Sequence, residues 1–174
     1  MVLSHNKRLV ADRYVSVRGF TLIELIMVLV ILGGLAAYAA PRIFNRGDFD
    51  ARGFHDVTQA YLRYAQKTAI AQRRTVCVAF SSTTITLRIA KKDAVFDCTG
   101  GNGVVLNGPD GNSDATAKGA AAYNNSTAPT PFNFDALGQP VDGNGVPSTV
   151  AKSITVANAG VSITVEAYSG YVHD

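Results

Sequence analysis

The sequence predicts an α+β protein: one long N-terminal helix whose first half is apolar enough to span a membrane and whose second half packs on an antiparallel β-sheet head. Three observations predict it. From Phe20 to Ala40 there is an apolar run of 21 residues with one charge, Glu24. At about 1.5 Å per residue, that run makes a helix of roughly 30 Å, the thickness of a bilayer core. After Pro41 the pattern becomes one-sided, and after residue 73 it changes to β-branched runs broken by turn residues.

Taken in order, residues 1–18 are polar and basic with no helical stripe and read as a targeting segment outside the fold. Residues 1–19 contain Lys7, Arg8, Arg13 and Arg18 against Asp12. Removing those four and that one from 16 basic and 13 acidic residues leaves twelve of each, so the remainder is formally neutral. Bulk charge therefore gives no reason to expect nucleic acid as a partner. The basic flank predicts an N-terminus on the cytoplasmic side and a head on the other.

Within the apolar run, a lone carboxylate costs about 2.5 to 3.5 kcal/mol to insert, so Glu24 calls for a partner. A carboxylate at that depth is tolerated mainly when it is paired with a positive charge. The plain alternative is a glutamate that snorkels to the helix end. Pro41 predicts a kink, because an internal proline removes one helical hydrogen bond. From Phe54, the residues Val57, Tyr61, Tyr64, Ala65, Thr68 and Ile70 recur at spacings near three and four and predict an amphipathic helix over 42–73.

Thr75–Phe80 and Thr83–Ala90 read as a hairpin, with Ala94–Cys98 as a candidate third strand. Residues 99–150 are rich in Gly, Asn, Asp, Ala, Ser and Pro and read as a long loop. Ser153–Ala157 and Val161–Ala167 form a second hairpin pattern, followed by a short strand at Tyr171 and Val172. Four segments follow: 1–19 leader, 20–41 membrane half of the helix, 42–73 amphipathic half, and 74–174 a β-rich head.

Cys77 and Cys98 are disulfide candidates, since a head outside the cytoplasm lies in an oxidising compartment; two free buried thiols are the alternative. No catalytic constellation is visible. His5, His55 and His173 lack the spacing of a zinc site, and there is no nucleophile elbow, no H-E-x-x-H and no C-x-x-C. An enzyme is not expected, and no cofactor. Asp110, Asn112 and Asp114 alternate like the opening of a calcium loop, but Ala115 and Ala121 stand where an EF-hand needs Gly and Glu. A looser calcium site completed by Asp142, or a solvated turn, are the two readings.

Arg18-Gly19-Phe20-Thr21-Leu22-Ile23-Glu24-Leu25 resembles the processing site of the type IV prepilin and pseudopilin family. The resemblance implies that prepilin peptidase cuts between Gly19 and Phe20 and N-methylates Phe20. It also implies that Glu24 becomes residue five of the mature chain and serves assembly, and that Pro41 occupies the usual proline position of the first helix. The implied partners are prepilin peptidase, the inner membrane and other pilin or pseudopilin subunits in a helical filament.

Phe132–Gly138, Ile154–Val156 and Gly170–Val172 are similar to the C-terminal pattern of H-type minor pseudopilins and related minor pilins. Some DNA-binding minor pilins carry arginines near the last glycine, whereas this tail is Gly170-Tyr-Val-His-Asp. The expected function is a minor structural subunit of a type II secretion pseudopilus or type IV pilus. An adhesin-like or DNA-binding minor pilin is the alternative. A secreted soluble protein is a second, because Ala37-Tyr38-Ala39 could be cut by an ordinary signal peptidase.

Overall fold

The computed structural model describes residues 19–43, 46–124 and 128–174, without the side chains of Ala39–Ile43 and Arg46. The leader through Arg18 and the junction at 44 and 45, where one continuous helix is expected, lie outside the described residues. The chain divides into two compact units, Met1–Phe44 and Asn45–Asp174.

In the first unit, α1 runs Leu22–Ile43 and continues through Pro41. It has no buried face: every described large apolar side chain from Phe20 to Tyr38 is exposed, the least so being Val28 at 45%. Among the described residues no helix is long and apolar enough to cross a membrane. The described side chains of α1 stop at Tyr38, and the apolar run of the sequence continues to Ala40.

In the second unit, α2 spans Arg46–Gln72. Its buried stripe is Ala51, Phe54, His55, Thr58, Tyr61, Leu62, Ala65, Thr68 and Ala69, an unbroken three-four repeat. This corrects the expected stripe at two points, since Val57 and Ile70 are exposed. The small residues at 51, 58, 65 and 69 let the helix approach the sheet closely, and the larger Val57 and Ile70 fall on the flanks. The helix ends with Arg74 N–H donating to Ala69 O (3.1 Å) and Arg73 N–H to Ile70 O (3.3 Å), with Arg73 left-handed at φ 51°. That is a Schellman closure made without glycine.

The expected first hairpin is present as β1 (Val76–Phe80) and β2 (Thr84–Ala90), antiparallel with Val76 opposite Ile89 and Val78 opposite Leu87. Alternation puts Val76, Val78, Ile85, Leu87 and Ile89 on the face toward α2. Burying such a side chain is worth about 1.5 to 3 kcal/mol.

Within the expected loop 99–150 the structure places four short strands. It contains β3 (Gly103–Val105), β4 (Asp114–Thr116), β5 (Phe132–Phe134) and β6 (Pro140–Val141). Strands β3 and β4 share one edge of β2, and β5 pairs with β1, giving the order β3-β2-β1-β5-β6 with β4 beside β2. Three of these pieces pair directly with β1 or β2, and β6 pairs with β5, so they need little apolar alternation of their own.

Ala94–Cys98 is not a strand. Ala94 turns left-handed at φ 57°, and Arg88 takes the Cys98 and Gly103 carbonyls through Nε (3.1 Å) and Nη2 (2.8 Å). The edge of β2 is thereby given to β3.

The second hairpin forms a separate sheet, β7 (Lys152–Thr155), β8 (Ser162–Val165) and β9 (Val172–His173), with Ile154 opposite Ile163 and Val165 opposite Val172. Phe54, Tyr123, Phe80, Phe132 and Phe134 make a continuous series of ring contacts with centroids 5.0 to 6.2 Å apart, tying α2 to the larger sheet.

Candidate processing and assembly segment

Gly19 and Phe20 lie just before α1, both exposed, with Phe20 at 82%. Thr21 closes the helix. Its carbonyl accepts from Glu24 N–H (3.1 Å) and Leu25 N–H (3.2 Å), and its Oγ1 accepts from Glu24 N–H (3.3 Å). Thr21 is therefore the N-cap of α1, and Glu24 stands at the T-x-x-E spacing three residues later. The sequence reading missed this cap, although the T-x-x-E spacing carried the signal.

Two chemical consequences follow. The Gly19–Phe20 peptide bond stands outside the helical hydrogen-bond ladder and is exposed. A Cβ at Gly19 would meet nothing within 4 Å, so the fold itself makes no demand for glycine there. An amine freed at Phe20 would place positive charge at the positive end of the helix dipole, and Glu24 in the first turn puts a carboxylate where it offsets both.

In the second unit, Cys77 and Cys98 are joined as a disulfide, with Cα atoms 6.1 Å apart. The oxygen-rich loop residues are committed to local structure. Asp110 accepts from Tyr61 Oη (2.6 Å) and from Asn112 N–H (3.1 Å) and Nδ2 (2.8 Å). Asp114 accepts from Ser113 and Thr116 hydroxyls. Asp142 caps its own turn through the N–H groups of Asn144 and Val146. These hydrogen bonds hold all three carboxyls below the usual carboxylate range. Among the described residues, no group of three or more His, Cys, Asp or Glu side chains is placed to hold a metal ion.

The structure also brings together residues that sequence reasoning left unused. Gln59, Arg63 and Gln66, spaced one helical turn apart on α2, bond Asp174 Oδ1 (2.5 Å), Val172 O (3.1 Å) and Ser169 O (2.9 Å). Their i, i+4, i+7 spacing was the available signal, but the distant carbonyls they meet have no sequence signature.

No curated protein and no solved structure matches this chain. Residues 16–38 match the family model of the prokaryotic N-terminal methylation motif, which spans Gly19, Phe20, the Thr21 cap and Glu24. The match covers that N-terminal segment alone, and by it the chain carries a type IV prepilin-like N-terminal methylation signal.

Proposed function

We propose that this chain is a minor structural subunit of a type IV filament, either an H-type minor pseudopilin of a type II secretion pseudopilus or a related minor pilin of a type IV pilus. Prepilin peptidase cuts between Gly19 and Phe20 and methylates the Phe20 amine. Residues 20–41 then hold the protein in the bacterial inner membrane with the head outside the cytoplasm, until the helix is drawn into the filament. The observation that supports this best is α1 itself: a helix that begins inside the methylation motif and whose described side chains have no buried face. Such a surface needs lipid or a bundle of like helices around it.

Glu24 is the assembly residue in this reading. Its carboxylate meets the Phe20 amine of a neighbouring subunit once both leave the membrane edge, and pairing offsets the desolvation of each. The role is structural, and the head supplies the surface presented by the filament. Glu24→Ala tests it: the mutant precursor is expected to be cut normally yet to be missing from sheared filaments. Wild-type recovery in filaments would sink the assembly role.

A further inference from the structure

At the end of the head where α2 finishes, the pairing register brings two basic pairs together. Val76 lies opposite Ile89, and Ala90 N–H donates to Thr75 O (2.9 Å), so the residues just before Thr75 and just after Ala90 are neighbours. Those residues are Arg73 and Arg74 on one side and Lys91 and Lys92 on the other. Adjacent strands lie about 4.8 Å apart, which puts the four cations on one surface. Arg73, Lys91 and Lys92 are exposed and Arg74 is half-buried. Among the described residues none of the four makes an ion pair. The acids at this end are Asp93, beside Lys92, and Asp135, which follows Phe134 opposite Val76. Positive charge is therefore in excess here, on a chain that is formally neutral beyond its first 19 residues.

The same end carries exposed apolar side chains on a fixed turn. Asp135 Oδ1 accepts from Leu137 N–H (2.9 Å) and Gln139 N–H (2.8 Å), and Gly138 N–H donates to Asp135 O (2.9 Å). At the tip stands Leu137, 74% exposed, where turns ordinarily carry polar residues. The turn rests on the end of α2, since a Cβ at Gly138 would come within 2.7 Å of Ile70 Cδ1. Its Gly138 carbonyl also lies against Gly170, which brings in Tyr168, 73% exposed. Ile70, itself exposed, stands one helical turn before Arg73 and joins this apolar strip to the cations.

Cations flanking exposed aliphatic and tyrosine side chains match the chemistry of an anionic lipid surface. Arg and Lys meet its phosphates, a tyrosine ring suits the headgroup layer, and a leucine on a rigid turn enters the acyl boundary. Nucleic acid would engage the cations and leave Leu137 and Ile70 in water.

We propose that this end of the head is a docking surface for an anionic phospholipid membrane. Arg73, Arg74, Lys91 and Lys92 lie on the headgroup phosphates, and Leu137 and Tyr168 insert between them. The attraction is screened by salt, as any contact between exposed charges is. It uses the second unit alone and stands apart from the filament reading.

The test uses the full chain carried in phosphatidylcholine nanodiscs, which occupy the apolar helix and leave the head free to meet added vesicles. Co-sedimentation is measured with phosphatidylcholine vesicles and with vesicles about one third phosphatidylglycerol, against empty nanodiscs. Binding is expected with the anionic vesicles only, and is expected to fall as salt rises. Lys91→Gln together with Lys92→Gln is expected to weaken it about thirtyfold. Leu137→Ser is expected to weaken it about fivefold at every salt concentration. All three positions are exposed, and thermal melts matching wild type show that the fold is kept. Equal binding to neutral vesicles, undiminished binding by either variant, or retention on duplex DNA without binding to anionic vesicles overturns the proposal.

Discussion

The hydroxyl of Tyr61, in the middle of α2, donates to Asp110 Oδ1 at 2.6 Å and pins the turn between β3 and β4 to the helix. Gly108 lies flat on the same ring, where an added Cβ would come within 2.1 Å of Tyr61 Cζ. Burial, and then Asp110, push the Tyr61 phenol well above its usual range, while the same bond lowers the Asp110 carboxyl.

Tyr61→Phe removes the donor and keeps the ring. It is expected to lower the melting temperature by a few degrees. A depressed carboxylate stabilises the fold above its unfolded value, near pH 4, and that contribution is lost as pH falls through the folded one. The difference between Tyr61→Phe and wild type should therefore be full at neutral pH and shrink below about pH 4. Thermal melts across that range measure it.

The Cys77–Cys98 bridge, with a sequence separation of 21, ties the segment after β2 back to β1. The chain-entropy relation assigns such a loop about 3 kcal/mol. The paired Cys77→Ala and Cys98→Ala variant is expected to lose roughly that much in denaturant titration, and a reductant should move wild type the same way and leave the variant unmoved.

Gly170 sits at φ +64°, and a Cβ there would fall 1.9 Å from the Gly138 carbonyl oxygen. Gln66 bridges the two turns from α2, reaching Gly138 O and Ser169 O. Gly170→Ala therefore strains the backbone and separates the turns, an expected loss of about 2 to 4 kcal/mol. Hydrogen exchange should show the damage first in β9 and the Asp135–Gln139 turn.

At Arg73 the prediction has the opposite sign. This exposed residue holds the left-handed position of the Schellman closure at φ 51°, a conformation glycine adopts freely. Arg73→Gly is expected to raise stability by about 0.5 to 1 kcal/mol, read as a shift of the denaturation midpoint without change in slope.

The two hairpins and the amphipathic helix were legible because their periods are local: β1 and β2 alternate, and α2 repeats at three and four. The position of the stripe on α2 was less legible. Val57 and Ile70 attract the eye as large apolar residues, yet the buried line runs through Ala51, Thr58, Ala65 and Ala69, where small side chains permit close approach.

The strands within 99–150 were hidden because their pairing is borrowed. Phe132–Phe134 is a strand because β1 lies beside it, and Gly103–Val105 because Arg88 and β2 do. The alternating oxygens at Asp110 and Asn112 suggested an ion, whereas the structure spends them on an Asx turn and on Tyr61. At the other end, Gly19, Phe20 and Glu24 stood out because they belong to a local motif rather than to a packed face.

The central claim is that the mature chain begins at Phe20 through prepilin peptidase, and the N-terminal peptide of the native protein tests it most directly. Mass spectrometry in cells with and without that peptidase is expected to find N-methylated Phe20 as the first residue only when the peptidase is present. A mature chain beginning at Ala40, or one that keeps Met1 through Gly19 in the presence of the peptidase, would contradict the account.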